Sequence, residues 1–465
     1  MESVQVQSEK MTAARCDSDH KAVIIGLGST GVSCARYFTE QGIEFKVVDS
    51  RSEPPGVKEL MQIAPRVETE FGGFRAATLS NAGMLVVSPG VSLKTPEIVA
   101  AMEAGVPVTG DIDIFAKTVE APIIAVTGSN GKSTVVALVA EILRAAGLRF
   151  GLGGNLDGIN FKPALALLEE EPKELYLLEV SSFQLETTQC LGAEVAVILN
   201  ISADHLDRYE SLDEYRRAKQ RIFNGCSHVV INRDDPGSYP LQSLGVPVIE
   251  YGCTVPGSNG LGLLEEGNDQ YLAYQFEKII SVSELNIVGL HNVSNVLAAI
   301  ALALSVGVEM DKIKTALRRF KGLPHRCQWV AKINGVDFYN DSKGTNVGAT
   351  LAAVEGLGQR IDGHILLIAG GMGKGADFSP LRPVLNRWTK EVILIGQDAV
   401  ELSASIDSDI QTHFAESMHE AVKVALAHAR PGDAVLLSPA CASFDMFKNF
   451  QHRGEVFMQA VESLQ

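Results

Sequence analysis

A chain of 465 residues that is 46% apolar and carries 43 glycines has room for about three ordinary domains and the composition of a globular α/β protein. Its net charge of −16 comes from 56 acidic against 40 basic residues dispersed along the sequence. That balance argues against nucleic acid or an anionic membrane surface as partner, while leaving room for a local anion site. No apolar run approaches the ~18 residues of a membrane span. The seven cysteines are odd in number, scattered and without zinc-like spacing, so reduced thiols in a cytoplasmic protein are expected.

Residues 1–20 are polar and charged, lack the apolar core of a secretion signal, and read as a disordered extension. Residues 21–110 alternate strand and helix, which predicts a doubly wound, Rossmann-like sheet. Its first strand, Ala22 to Ile25, enters Gly26-Leu27-Gly28-Ser29-Thr30-Gly31, and Asp49 follows at close to the ~20-residue spacing of a dinucleotide-type fingerprint. A glycine turn of this kind suits any diphosphate. NAD and a UDP-type group both remain open, although a second nucleotide loop downstream weakens the redox reading, because hydride transfer needs no ATP. With UDP, Asp49 would meet the uracil or the ribose. A further strand, Met84 to Val87, leads into the loop Ser88-Pro89-Gly90.

Residues 111–322 predict a central domain of the phosphate-loop ATPase type. The apolar run Ile123 to Val126 feeds Thr127-Gly128-Ser129-Asn130-Gly131-Lys132-Ser133-Thr134, and an amphipathic helix follows from Val135. Backbone N–H groups of such a turn and the helix N-terminus aim at one spot, which favours polyphosphate. Lys132 would reach the β- and γ-phosphates and Ser133 would ligate Mg2+. Val126 stands where the usual pattern has its first glycine, so the loop is a compact variant.

Leu175 to Val180 and Val195 to Asn200 read as parallel strands buried on both faces, with Glu179 and Asn200 near their ends. Glu179 and His205, the latter in Asp204-His205-Leu206-Asp207-Arg208-Tyr209, suit a Mg2+ ion bridging ATP and an acceptor, although His205 also reads as a capping histidine. Lys219 lies in the amphipathic segment from Asp213 to Phe223, and by spacing alone it is a solvated helix lysine. Ser238 to Val282 is rich in turn residues and predicts short antiparallel strands. A helix is expected from about Val293 to Ser305.

Residues 323–465 again alternate strand and helix, predicting a Rossmann-like third domain. Arg326 and Lys343 could neutralise phosphate or carboxylate, and Asp341 suits a ribose hydroxyl or an adenine contact. Ser438 to Asp445 reads as a shaped loop at a strand end or a plain structural turn.

Taken in order, Thr127 to Thr134 (TGSNGKST), Leu178 to Glu186 (LEVSSFQLE), Asp204 to Tyr209 (DHLDRY), Leu323 to Arg326 (LPHR), Asp341 to Asn346 (DSKGTN), Leu437 to Ser443 (LSPACAS) and Phe447 to Phe450 (FKNF) resemble the Mur ligases from Lys21 onward. Within that family the last two motifs and the Gly-x-Gly-x-x-Gly opening are closer to the D-glutamate-adding members. The resemblance implies ATP-dependent addition of D-glutamate to UDP-N-acetylmuramoyl-L-alanine through an acyl phosphate, by a cytoplasmic monomer.

By position, Ser29, Thr30, Asp49, Ser50, Arg51, Ser88 and Gly90 would bind UDP, and Asn155 and Ser181 the muramoyl-alanine part. Lys132, Glu179, His205 and Lys219 would be catalytic. Ser133, Glu179, His205 and Lys219, the last as an N-carboxylated (carbamate) lysine, would hold two Mg2+ ions. Gly128 to Thr134, Asn292, Asn295, Arg326 and Asp341 would contact ATP. Lys343, Thr345, Lys374, Ser443 and Phe450 would hold D-glutamate. Gly344 stands where the family's motif has alanine.

Overall fold

Runs of Val, Ile and Leu without polar alternation fold here into strands covered on both faces, as parallel sheets require. The computed structural model describes residues 21–155, 162–205, 208–267, 269–287 and 289–464. The expected extension over residues 1–20, Leu206 and Asp207 of the acidic loop, and Val288 lie outside the described residues.

The first sheet holds β1 (Ala22–Ile25), β2 (Phe45–Asp49), β3 (Glu68–Phe71), β4 (Met84–Val87) and β5 (Val108–Thr109), all parallel, in the order β3-β2-β1-β4-β5. The order reverses between β1 and β4. Their following loops, Gly26–Gly31 and Ser88–Gly90, therefore flank the crevice where such sheets bind ligands.

The second sheet holds β6 (Ile123–Thr127), β7 (Phe150–Gly154), β8 (Leu175–Glu179), β9 (Val195–Ile198), β10 (His228–Asn232), β11 (Val248–Tyr251), β12 (Gly260–Glu266), β13 (Asp269–Tyr274) and β14 (Glu277–Ser281). Its order is β14-β13-β12-β11-β10-β9-β6-β8-β7. The antiparallel strands expected after Ser238 are β12 to β14, while β11 still pairs parallel with β10 and β12. β8 and β9 are the two neighbours of β6, so Glu179 and Asn200 stand on either side of the strand that ends in the glycine loop.

The third sheet holds β15 (Gln328–Ile333), β16 (Val336–Asn340), β17 (Ile365–Gly370), β18 (Thr389–Ile395), β19 (Gln411–Phe414) and β20 (Ala434–Leu437), in the order β15-β16-β20-β17-β18-β19. Only the β15–β16 pair is antiparallel.

One apolar cluster runs from Phe38 and Val47 of the first unit through Phe115 to Leu178 and Ala196 of the second. Full burial of an aromatic side chain such as Phe38 or Phe115 contributes about 1.5–3 kcal/mol, so this shared core welds the two units. The third unit has cores of its own. It meets the second where the helices Leu290–Ser305 and Val347–Gly358 approach closely. A methyl on Gly356 would lie 2.9 Å from the Cα of Gly289, so the approach depends on two glycines.

Candidate active site

β6 ends at Thr127, and the chain turns through Gly128 (φ 154°) and Gly131 (φ 85°), values that favour glycine. A Cβ on Gly131 would come within 2.4 Å of Asn295 Oδ1. Val126, at the position where glycine is usual, is fully buried inside β6, so the shortened loop still leaves from a normal strand. The helix begins at Lys132, earlier than the apolar pattern suggests, and its N-cap Gly131 supplies no side-chain acceptor. Lys132, Ser133 and Thr134 of that uncapped first turn line a cleft of about 710 Å3.

The loop is held by Asn200. Its side chain accepts from Asn130 N at 2.8 Å and donates to Asn130 O at 3.0 Å, while Ser129 N donates to Asn200 O at 2.9 Å. Lys132 Nζ reaches back over the turn to Gly128 O (2.8 Å) and Ser129 O (3.0 Å).

Glu179, the last residue of β8, is only 1% exposed and lines the same cleft as Ser133 and His205. Asn155 is joined to it by N–H to Glu179 O at 2.7 Å. His205 sits at φ 56°, an uncommon conformation for a non-glycine residue. Burial lowers the His205 pKa, with the positive Lys132, Lys219 and Lys374 adding to the effect against Asp204. The imidazole is thereby biased to the neutral form that ligates metal.

Lys219 departs from the expectation of a solvated lysine. It is 1% exposed, on the buried face of the helix Leu212–Gln220 with Tyr215 and Ala218. The reason is its spacing: Lys219 lies one turn after Tyr215, and its Nζ stands 4.6 Å over that ring. The ammonium donates to Gly128 O (3.0 Å) and Thr127 Oγ1 (3.3 Å), directly behind the glycine loop. Burial, reinforced by Lys132, holds its pKa well below the usual lysine range.

The third unit faces the loop. Arg326, Asp341, Lys343, Thr345 and Lys374 line the cleft, as do Asn292 and Asn295 from the second. Asp341 is buried, which pushes its pKa up to about 7. It accepts from Ser438 Oγ at 2.7 Å and from Cys327 N at 3.1 Å. Lys343 Nζ lies 4.0 Å over the Phe450 ring. Ser443 is buried in the adjacent loop, whose neighbour Ala442 bridges to Met372. A methyl at Gly344 would come within 2.7 Å of Asp341 Oδ2 and 2.8 Å of Ser438 Oγ, crowding that hydrogen bond.

The UDP candidates gather elsewhere, around the first sheet's crevice. Ser29 and Thr30 open the helix Ser29–Glu40. Ser88 Oγ donates to Gly26 O at 2.9 Å, which ties the β4 loop to the glycine turn, with Gly90 exposed beyond it. Both Asp49 oxygens are engaged: Leu27 N donates at 2.7 Å, and the Arg51 backbone and guanidinium donate at 2.7–2.9 Å. Asp49 thus shapes the turn, while Ser50 and Arg51 are exposed to a ligand. Ser181 caps the short helix Ser182–Glu186 in a capping box with Gln184, two residues past Glu179.

Three residues that organise the site were given no role from the sequence, although Arg208 and Asn346 fall inside the motifs DHLDRY and DSKGTN. Asn346 donates to Asn130 Oδ1 (3.2 Å) and Asp204 Oδ2 (3.4 Å), joining the third unit to the loop. Arg208 pairs with Glu186 (2.6 Å) and donates to Pro89 O (3.0 Å) and Val91 O (3.2 Å), joining the second unit to the first. Arg453, fully buried, donates to Ser342 O (2.8 Å), Ser342 Oγ (3.0 Å) and Cys441 O (3.0 Å), which fixes the two motif loops of the third unit against each other.

Comparison with known proteins matches three family profiles along this layout: "Mur ligase MurD-like, N-terminal domain" over residues 20–110, "Mur ligase middle domain" over 126–303 and "Mur ligase, glutamate ligase domain" over 325–441. The chain is 50% identical over 447 residues to the UDP-N-acetylmuramoylalanine–D-glutamate ligase of Pseudomonas aeruginosa, covering 96% of this chain and 99% of that one. It is 48% identical to the enzyme of the same name from Nitrosococcus oceani, covering 95% and 96%.

Among solved structures, a pseudomurein peptide ligase type C from Methanothermus fervidus (TM-score 0.61, 19% identity, 96% and 100% covered) shares the fold. So does the UDP-N-acetylmuramate-alanine ligase MurC of Thermotoga maritima (0.59, 19%, 96% and 100%). A phosphate loop, its carboxylate and imidazole, and a cationic wall from a third α/β unit, matched in order along the whole length, place this chain in the Mur ligase family.

Proposed function

We propose that this chain joins D-glutamate to UDP-N-acetylmuramoyl-L-alanine at the expense of ATP, as a cytoplasmic monomer in peptidoglycan precursor synthesis. The observation that carries the reading is the convergence of Lys132, Glu179 and His205 with Arg326, Lys343 and Lys374 on one cleft. No helix among the described residues is long and apolar enough to cross a membrane.

A carboxylate is a poor acyl donor at neutral pH, because its carbonyl resists attack and oxide is a poor leaving group. Its oxygen therefore attacks the γ-phosphorus of ATP, forming a C–O–P link and breaking the bond to ADP. The free amine of D-glutamate then adds to the carbonyl carbon, and collapse of the tetrahedral intermediate expels phosphate and leaves the amide. Lys132 and the loop N–H groups neutralise phosphate charge, and Asn292, Asn295, Arg326 and Asp341 hold the rest of ATP. Lys343, Thr345, Lys374, Ser443 and Phe450 hold the incoming amino acid. UDP rests at the Gly26–Gly31 crevice on Ser29, Thr30, Ser50, Arg51, Ser88 and Gly90, with Asp49 shaping the turn, and Asn155 and Ser181 receive the muramoyl-alanine end. Enclosure between the second and third units keeps water from the acyl phosphate.

Ser133, Glu179 and His205 fit Mg2+: a hydroxyl, a buried carboxylate and an imidazole biased to neutrality line the same cleft. Bound there, Mg2+ supplies countercharge for the phosphates. Lys219 supports the carbamate reading, because burial favours its uncharged amine, the form that adds to CO2 with loss of one proton.

Phosphate release is the test, with UDP-N-acetylmuramoyl-L-alanine and either D-glutamate, L-glutamate, L-alanine, L-lysine or diaminopimelate as acceptor. Release that requires D-glutamate is expected. Release indifferent to the amine, or greatest with another acceptor, overturns the reading.

A further inference from the structure

A second cluster of ligating side chains lies in the third unit, away from the cleft. Glu391 near the start of β18, His413 on the edge strand β19, and His428 in the last turn of the helix Met418–His428 converge. Their donor atoms all lie within 4.8 Å of one another. Glu391 Oε2 is 2.8 Å from His413 Nε2 and 2.7 Å from His428 Nδ1, and the two imidazoles stand edge to face with centroids 4.6 Å apart. None of the three lines the ATP cleft, whose third-unit loops follow the other ends of these strands.

The register explains the meeting. His413 is paired with Ile393, and Glu391 lies two residues earlier on the same face, the one covered by that helix. The carboxylate side chain is only 8% exposed, whereas His413 and His428 are 21% and 37% exposed, so an ion has an entry path.

We infer that Glu391, His413 and His428 form a binding site for a divalent transition ion of the zinc class. Two imidazoles and one carboxylate are a donor set that zinc takes with an open fourth position, and imidazole ligands disfavour Mg2+ and Ca2+. Ligand atoms of a tetrahedral zinc stand about 3.3 Å apart, given bonds of ~2.0–2.1 Å. The carboxylate-to-ring contacts need only open by about half an ångström to admit the ion. Each ring then presents a lone pair where its N–H faced the carboxylate and keeps its proton on the other nitrogen. The ion would pin β19, which has a partner strand on one side only, to β18 and to the helix end.

The experiment strips the purified chain with a chelator, returns it to saturating Mg2+, and titrates Co2+ as spectroscopic probe. One Co2+ per chain with the strong visible absorption of a low-coordinate site is expected, displaced by an equivalent of Zn2+. The signal should persist in His205→Ala. It should weaken by more than the ~10–100-fold typical of losing an outer-shell partner in folded His413→Gln and His428→Gln. Zn2+ should raise the melting temperature of the wild-type chain but not of Glu391→Gln. Absence of Co2+ uptake by the wild-type chain, or uptake unchanged in His413→Gln and His428→Gln, overturns the site.

Discussion

The chain contains two strand–glycine turn–helix units that look alike in sequence and differ in their surroundings. In the first, the turn at Gly26–Gly31 is closed by its own neighbours: Asp49 accepts from Leu27 and Arg51, and Ser88 bonds Gly26. In the second, the turn at Gly128–Ser133 is braced from behind by Asn200 and Lys219, and its open side looks onto side chains from another unit. A glycine turn by itself says only that an anion is welcome. What the anion undergoes depends on the groups brought to meet it. A preformed, self-contained pocket suits an anchor; a loop backed by a buried amine and faced by a cationic wall suits group transfer.

Breaking the second loop should have the largest effect. Lys132→Ala is expected to lower turnover by about 10²–10³-fold or more, since one cation aimed at transferring phosphate is of that order; near-normal phosphate release would refute its role. Next comes Lys219→Ala, for which we expect a loss of roughly 10²-fold, comparable to removing one preorganised electrostatic group. Partial recovery on adding short carboxylates would separate a carbamate from a merely structural lysine.

Opening the first loop should act on binding more than on chemistry. Arg51→Ala is expected to raise the KM for the UDP substrate by about tenfold, the equivalent of ~1.4 kcal/mol for one charge-assisted bond, with kcat little changed. A fall in kcat alone would erase the distinction between the two turns.

The last effect is on stability against pH rather than on turnover. Burial raises Asp341 to about 7 in the folded chain, against ~3.9 when unfolded. The native state therefore holds that proton more tightly. This contribution to stability is fully present below the unfolded pKa and is lost as pH rises toward 7. In calorimetry of the ligand-free chain, the melting temperature of the wild type relative to Asp341→Asn should fall between pH 4 and pH 7. A difference that is flat or rises would show that the carboxyl is ionised throughout.

Much of this was legible in the residues. Continuous apolar runs such as Ile123–Thr127 and Leu175–Glu179 announce parallel strands, and the glycines announce the turns between them. Glu179 and Asn200 follow from the same reading, because strand ends gather at one edge of an α/β sheet, whereas Asn292, Asn295, Thr345 and Lys374 came only from the family resemblance. For Lys219 the family motif and the spacing disagree: a helix of mixed charges reads as solvated unless Tyr215, one turn earlier, is recognised as its buried neighbour. The roles of Arg208 and Asn346, though both fall inside quoted motifs, and of Arg453 were hidden for a different reason. Each owes its role to partners far away in sequence, such as Pro89 for Arg208 and Asn130 for Asn346. The pairing of Glu391 with two histidines likewise needs the β18–β19 register before it exists at all.

Arg208 reaches past its own unit to carbonyls of the β4 loop, and its backbone N–H returns to His205 O at 2.9 Å. One side chain thus ties the loop beside the first sheet's crevice to the turn that carries His205. Removing that guanidinium would leave the core shared by the two units intact and cut the polar tie between the β4 loop and the His205 turn.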